Sequence, residues 1–478
     1  MDYSKMSDDC LMAIDLSECN ETEIKKIKAE KFIRIQNKFI NTIETTFFPK
    51  TIKGFKEDLY LYNKDGYYNT FGESELKTLL KEFFKHTNNE KLFRDILYKV
   101  KCIEMIDREN FLETPNKINL KNGVLDVYKN TMEEHNPKYN FLYRLEIEYN
   151  PDKFVDCPTI KKFLMDISEN DENIYWLLVE FIGYILISDY KIKKFLCIFG
   201  DGDNGKTTLA NVITAFIDKR NVSGLSLNQL TEKDFLISGL YGMKLNIKGE
   251  TMPQKLKSLE VMKSLTGDDD QHVDRKFRDS LKFKNSAKFI FHFNTLPEID
   301  LKSLDQASLD RLLMVHLKHN FVGNEDNKNL LRDLTTPNEL EGLLHLALEG
   351  LSRLRKNRKF TYDDETTYDI WKESQSNLLD EFMQKQCIFS PEYYIEQSIA
   401  YDTYTNSGYK PISKKMFTIY VQKYSTLSIG KRGKSKEQTY CYLGFKLKED
   451  MINEITPTEN IIILQTEEEL NNAFNMEE

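Results

Sequence analysis

The stretch GDGDNGKTT, residues Gly200 to Thr208, constrains the fold of this chain more than any other part of its sequence. It fits the pattern G-x-x-x-x-G-K-[ST], in which glycines let a loop close so that its backbone N–H groups point at a phosphate. The apolar run FLCIF precedes the loop, and the helical sequence TTLANVITAFI follows it. A strand, a glycine-rich loop and a helix in that order predict a P-loop that binds a nucleoside triphosphate at the helix N-terminus.

The side chains of this loop predict how the nucleotide is held. Lys206 can reach the β- and γ-phosphates, and the Thr207 hydroxyl can ligate Mg²⁺. The residues expected to contact the nucleotide are Gly200, Asp201, Gly202, Asp203, Asn204, Gly205, Lys206, Thr207 and Thr208. A P-loop alone leaves kinases, GTPases, packaging motors and helicases open, because one fold hosts many functions.

From Lys194 onward, apolar strands alternate with helices, which is typical of a parallel α/β sheet. The predicted strands are Phe195–Phe199, 244–247 and Lys288–Phe293. Glu250 follows one strand and can orient the attacking water and help to hold Mg²⁺, while Asn294 follows another and can hydrogen-bond the same water and the γ-phosphate. Each residue also has an ordinary interpretation, since a glutamate after a strand is commonly solvated and an asparagine there commonly forms a turn.

Arg311 lies in the segment SLDQASLDRLLMVHL, just before another apolar strand. An arginine in this position can be a surface partner for an aspartate. It can also be an arginine finger that reaches the γ-phosphate bound by a neighbouring subunit.

The order of these motifs resembles that of the superfamily 3 helicases, and is most similar to the poxvirus helicase-primase type, which also occurs in phages, plasmids and bacterial mobile elements. The resemblance covers residues 59–321. The residues that match motifs of the family are Asn204, Gly205, Lys206, Thr207, Lys263, Leu265, Thr266, Gly267, Asp269, Arg275, Lys276, Asn294, Leu296, Pro297 and Arg311. One departure is Gly249, which stands where many P-loop motors have the aspartate that holds Mg²⁺.

The resemblance implies an α/β fold with an AAA+-like P-loop helicase core, residues 156–370. An N-terminal α+β domain, residues 1–155, would precede the core, and a C-terminal winged-helix domain with an acidic tail, residues 371–478, would follow it. In this family a basic β-hairpin projects into the central channel of a ring, here expected to be a hexamer. The residues of this chain that would contact single-stranded DNA there are Arg275, Lys276, Phe277 and Arg278.

The segment from Gly408 to Lys448 concentrates positive charge, with nine lysines and one arginine against one glutamate, although the whole chain has a net charge of −9. A helix over PISKKMFTIYVQKY followed by a basic β-ribbon indicates a winged helix that binds duplex DNA. The alternative interpretation is a charged face that is only solvated. We expect helix, helix and two β-rich runs from Cys387 to Lys448. The expected DNA contacts are Lys414, Lys415, Lys431, Arg432 and Lys434.

Several classes of protein are disfavoured by the same sequence. No apolar run approaches the roughly 20 residues of a membrane helix, and the first residues contain no apolar signal segment. The seven cysteines are scattered without zinc spacing, which is typical of reduced thiols in the cytoplasm. The residues before Ile118 contain no convincing pair of metal-binding carboxylates, so a primase activity is not expected there.

The sequence therefore predicts an ATP-dependent DNA helicase that assembles as a ring and translocates on single-stranded DNA during replication of a virus, phage or mobile element. A replication initiator that recognises and melts duplex origin DNA is the nearest alternative, because it shares the same core. A DNA-binding assembly module, in which ATP only gates assembly, is an alternative of another class.

Overall fold

A computed structural model describes residues 3–53, 57–85, 89–200, 202–232, 234–250, 259–267, 269–275, 278–294, 296–297, 306–319, 321, 329–361, 378–407, 414, 417–418, 421, 428–432, 439–448 and 461–463. The chain divides into two compact units, Met1–Tyr368 and Asp369–Glu478. Among the helices in these residues, none combines the length and apolar composition needed to cross a bilayer.

The first unit mixes helices and strands along its whole length. Its described α-helices are α1 (Asp8–Met12), α2 (Glu21–Phe47), α3 (Gly72–Phe83), α4 (Glu90–Lys101), α5 (Pro158–Ile167), α6 (Glu172–Ile185), α7 (Lys206–Ile217), α8 (Leu227–Glu232), α9 (Asp234–Ile237), α10 (Glu260–Leu265), α11 (Gln306–Leu309), α12 (Leu330–Leu334) and α13 (Pro337–Asn357). Its described strands are β1 (Lys50–Ile52), β2 (Asp58–Tyr62), β3 (Tyr68–Asn69), β4 (Met105–Ile106), β5 (Lys117–Leu120), β6 (Gly123–Asp126), β7 (Thr131–Glu133), β8 (Phe195–Phe199), β9 (Val222–Ser223), β10 (Leu245–Glu250), β11 (Asp270–Arg275), β12 (Arg278–Lys284), β13 (Lys288–Phe293) and β14 (Leu312–His316).

The N-terminal part of this unit packs helices against a small sheet. The helix α2 begins with a capping box, in which the Asn20 side chain accepts from the Glu23 backbone N–H and the Glu23 carboxylate accepts from that of Asn20. Apolar faces of α2, α3 and α4 bury residues such as Phe39, Leu76 and Ile96 against β2. The strands β2 and β3 pair antiparallel across the turn at Lys64-Asp65-Gly66.

A five-stranded parallel sheet follows, with strand order β14-β8-β13-β10-β9, and confirms the predicted parallel α/β pattern. The strand β8 is apolar and buried between β13 and β14, as a central strand of a parallel sheet requires. The chain leaves β8 for the far edge strand β9, returns inward through β10 and β13, and then crosses to the other side of β8 as β14. In open α/β sheets, ligands bind outside the carboxyl ends of the strands beside such a reversal of strand order.

The helices α6 and α13 carry a buried acidic anchor. Glu180 of α6 is fully buried, and its carboxylate accepts hydrogen bonds from the Thr361 backbone N–H (2.8 Å) and hydroxyl (2.6 Å) beyond the end of α13. The Arg353 guanidinium of α13 lies 3.5 Å from the same carboxylate and stacks over the Trp176 ring at 3.9 Å. The anchor therefore ties the end of α13 to α6.

Replacing Glu180 with alanine is expected to lower the free energy of unfolding by about 3 kcal/mol, because it removes two charge-assisted hydrogen bonds and leaves their donors without a partner. Chemical denaturation of the full chain measures the loss. The matched control is Glu349→Ala, an exposed glutamate on α13, for which a change under about 0.5 kcal/mol is expected. Equal losses of unfolding free energy in the two variants would contradict a stabilising role for the Glu180 anchor.

The second unit contains a four-stranded antiparallel sheet of order β15-β17-β16-β18. Its described elements are α14 (Leu378–Gln386), β15 (Cys387–Glu396), α15 (Gln397–Asn406), β16 (Ser428–Arg432), β17 (Thr439–Leu447) and β18 (Ile461–Ile463). The helix predicted from Cys387 is wrong, because that segment is a strand. Pro391 fits there since β15 pairs only with β17 in the described sheet and its register shifts between Phe389 and Tyr394.

Candidate nucleotide-binding site

The P-loop joins β8 to α7, and two of its glycines have conformations that suit no other residue. Gly205, directly before α7, has φ 84°, and a Cβ there would lie 2.7 Å from the Ile167 side chain. Gly200 has φ 152°, and a Cβ there would lie 2.2 Å from both the Asn204 amide nitrogen and the Leu317 carbonyl oxygen. The sequence pattern thus has its usual physical cause, a tight loop around a helix N-terminus.

Lys206 is folded into this loop. Its Nζ donates to the Gly200 carbonyl oxygen at 2.8 Å and to the Asn204 side-chain oxygen at 2.6 Å. Lys206 and Asn204 are only 6% and 2% exposed. The ammonium group is therefore held inside the concave side of the loop, where the phosphates of a nucleotide would lie.

A segment after β14 braces the loop, and sequence reasoning missed it. The Asn204 amide donates to the Leu317 carbonyl at 2.8 Å, and the Phe321 backbone N–H donates to the Asp203 carbonyl at 3.0 Å. The Phe321 ring also lies beside Gly205. We call Leu317 and Phe321 the brace. Its only sequence signal is that the segment follows a strand neighbouring β8.

The remaining candidates at this edge lie at strand ends. The strand β10 ends at Glu250, whose register partner is Phe293 of β13, and the exposed Asn294 follows that residue. Thr207 is exposed in the first turn of α7, next to Thr208. Glu250, Asn294 and the P-loop thus meet at the same edge of the sheet, as expected. Asp201 lies outside the described residues, and Gly202 has open space around it.

His292 on β13 is a further residue of this site that the sequence did not indicate. It pairs in register with Gly249 of β10, and a Cβ on Gly249 would lie 2.3 Å from the His292 Cε1 atom and 2.7 Å from Nε2. Burial, followed by the positive charges of Lys206 and Lys248, lowers the pKa of His292 to about 4. The imidazole is therefore uncharged at neutral pH and fills the space in front of Gly249.

Arg311 lies at the opposite edge of the sheet. Its carbonyl oxygen accepts from the Phe195 backbone N–H at 2.7 Å, at the amino end of β8, whereas the P-loop follows the carboxyl end. Five strand residues separate the two edges, roughly 16 Å. The Arg311 Nη1 atom donates to the Ala307 carbonyl at 2.5 Å, and its buried Nε has no hydrogen-bond partner among the described residues. Arg311 is thus not brought to Lys206 of its own chain.

The donor set suits a magnesium ion that arrives with a nucleotide. Within the described ranges, no group of three or more His, Cys, Asp or Glu side chains could hold a metal by itself. Magnesium commonly takes one or two protein oxygens together with phosphates and water. The Thr207 hydroxyl at the start of α7 fits that requirement beside the phosphate cradle.

The basic segment after α10 forms the predicted hairpin. The strands β11 and β12 pair antiparallel from Asp270 and Lys284 to Arg275 and Arg278, the last pair beside the turn. Of the other predicted DNA contacts, Lys414 is helical and exposed. Lys431 and Arg432 are the last two residues of β16. The candidates outside the described residues are Lys276, Phe277, Lys415 and Lys434.

Comparison with protein families gives two matches. A family described as "D5 N terminal like" matches residues 17–169. A family described as "Family of unknown function (DUF5906)" matches residues 198–311, which contain Lys206, Glu250, Asn294 and Arg311. None of the curated proteins compared with the chain matches it.

Solved structures similar to the chain include "The A form apo structure of NrS-1 C terminal region-CTR". It is 12% identical, with 86% of this chain and 98% of that chain covered and a TM-score of 0.46. "The apo structure of NrS-1 C terminal region" is 11% identical, with 86% and 98% covered and a TM-score of 0.43. Both similarities therefore extend over most of this chain.

Proposed function

We propose that this chain is an ATP-dependent DNA helicase that translocates on single-stranded DNA during replication of a virus, phage or mobile element. The observation that carries the proposal is the arrangement around the five-stranded sheet. Lys206, Glu250 and Asn294 meet at its carboxyl edge, and Arg311 lies at its amino edge. The D5 N terminal like match supports the replication context.

Each of these residues has a distinct role in ATP hydrolysis. The P-loop N–H groups and Lys206 bind the β- and γ-phosphates, and the carboxylate of Glu250 orients the attacking water. Asn294 donates to the γ-phosphate or to that water. Thr207 and Glu250 would hold Mg²⁺, which when bound would supply neutralisation of the negative charge on the phosphate oxygens.

The position of Arg311 favours a ring. The Arg311 backbone is roughly 16 Å from its own P-loop, at the opposite edge of the sheet, so its guanidinium is poorly placed to stabilise the γ-phosphate there. It can do so for a neighbouring copy whose carboxyl edge faces it, so hydrolysis would take place between subunits, in a hexamer by the resemblance. The β11–β12 hairpin, with Arg275 and Arg278 beside its turn, would bind single-stranded DNA in the channel.

The second unit supplies a route to duplex DNA. Its β16 carries Lys431 and Arg432, and the segment around Lys414 adds further positive charge. A winged helix built from these elements would bind duplex DNA mainly through phosphates. The same unit is the observation that favours the replication initiator, which would bind one origin sequence through it.

Strand displacement on a forked DNA substrate tests the proposal. We expect unwinding with ATP and Mg²⁺, none with a non-hydrolysable analogue, and ATPase activity that rises with added single-stranded DNA. A blunt duplex of the same sequence is the control substrate. ATPase activity that stays at background with saturating single-stranded DNA, together with assembly that depends on ATP, would contradict the helicase proposal. It would favour a DNA-binding module whose assembly is gated by ATP. Footprinting that shows protection of one sequence in the element's own DNA would favour the replication initiator.

A further inference from the structure

The nucleotide site has an imidazole where a second carboxylate could stand. Gly249 directly precedes Glu250 at the end of β10, and its neighbour across the strands is His292. Because a Cβ on residue 249 would lie within 3 Å of three atoms of the imidazole ring, no side chain fits at 249 while His292 keeps its position. The absence of a side chain at Gly249 and the position of the His292 ring therefore depend on each other.

The presence of glycine at 249 and histidine at 292 affects the charge of the site. An aspartate at 249 would add a second negative charge to that of Glu250 near the phosphates, and a bound divalent cation would offset the increased repulsion. The His292 imidazole carries no charge at pH 8, where even an unperturbed histidine is deprotonated. Lys206 remains as a positive charge within the loop, close enough to His292 to affect its protonation.

From this geometry we infer that the Gly249–His292 pair lets the site bind ATP without a divalent cation, so that Mg²⁺ is required for hydrolysis and not for nucleotide binding. The inference rests on the proposed function, because it assumes that the P-loop binds ATP. His292 is in this view a positioning residue: it occupies the place of a carboxylate and excludes that charge from the phosphates.

Nucleotide binding in two buffers tests this inference. The dissociation constant of a fluorescent ATP analogue is measured on the full chain at pH 8, in excess Mg²⁺ and in excess EDTA. For the natural sequence we expect the two constants to agree within about threefold. The exchange variant Gly249→Asp with His292→Ala places a carboxylate in the vacated space, and its binding is expected to weaken at least about tenfold in EDTA relative to Mg²⁺.

Two variants separate charge from packing. His292→Ala alone removes the ring without adding a charge, so its ratio of constants should equal that of the natural sequence. Gly224→Asp adds the same charge where a Cβ meets only the Ile247 carbonyl oxygen at 4.0 Å, and its ratio should also stay unchanged.

The outcomes are distinguishable. A natural protein that binds the analogue at least tenfold more weakly in EDTA overturns the inference and leaves the proposed function standing. A protein that binds no ATP analogue in either buffer overturns both. The measurement on the natural protein can overturn the inference even if the exchange variant does not fold, and an exchange variant that folds and binds equally well in both buffers also overturns it.

Discussion

Replacing Lys206 with alanine is expected to abolish DNA unwinding and to lower ATPase activity by at least about 10²-fold, because the variant loses the one ammonium group held inside the P-loop among the described residues. ATP binding is also expected to weaken by about tenfold or more, since a charge-assisted contact to the phosphates would be lost. Steady-state ATPase assays and titration with a fluorescent ATP analogue measure the two effects.

The control for this variant is Lys318→Ala. Lys318 follows Leu317 of the brace, but its side chain is exposed. We therefore expect binding and turnover to stay within about twofold of the natural protein, in line with ordinary surface substitutions. Because the Lys206 side chain also bridges Gly200 and Asn204, the melting temperature of both variants should be compared. DNA unwinding that persists in the Lys206→Ala variant would refute the proposal that this chain is an ATP-dependent helicase.

Replacing Arg311 with alanine is expected to lower ATPase activity by about 10³-fold while ATP binding stays intact, since an arginine finger acts on the transition state. Arg311 lies at the amino edge of the sheet, next to Phe195, so in the proposed ring the loss is expected in the neighbour's site. The variant should still bind the fluorescent ATP analogue with its original affinity.

Mixing two inactive variants distinguishes action on a neighbour from action within one chain. In a mixed ring, a subunit with Arg311→Ala retains Lys206, and a neighbour with Lys206→Ala supplies Arg311. We expect equal amounts of the two proteins to recover a substantial part of the activity once the rings exchange subunits. The double variant mixed with itself is the control. A mixture as inactive as its components would exclude an arginine finger shared between subunits.

The local parts of the site were predictable because their signals are local. The P-loop follows from a short run of glycines between an apolar strand and a helix, and Glu250 and Asn294 follow from the positions at which parallel strands end. The hairpin β11–β12 was predicted from the resemblance to the superfamily 3 helicases, whose basic hairpin matches the segment around Arg275 and Arg278.

The features that the sequence did not predict, or predicted wrongly, depend on contacts between distant segments. Asn204 and Leu317 are 113 residues apart, and nothing in either segment indicates the hydrogen bond between them. The contact of His292 with Gly249 depends on the register of β10 against β13, which a sequence pattern does not define. The strand β15 was read as a helix because its partner β17 comes more than forty residues later in the chain.

The strand β14 has a mechanical consequence for a ring. Arg311 lies at its amino end, and Leu317, one residue beyond its carboxyl end, holds Asn204 of the P-loop. A hydrogen-bonded strand in a sheet hardly changes its length, so in the proposed ring a displacement of Arg311 by a neighbour's phosphate would be transmitted as a rigid shift to Leu317. Each subunit would then carry a short lever between its neighbour's nucleotide and its own, and hydrolysis could pass around the ring in sequence.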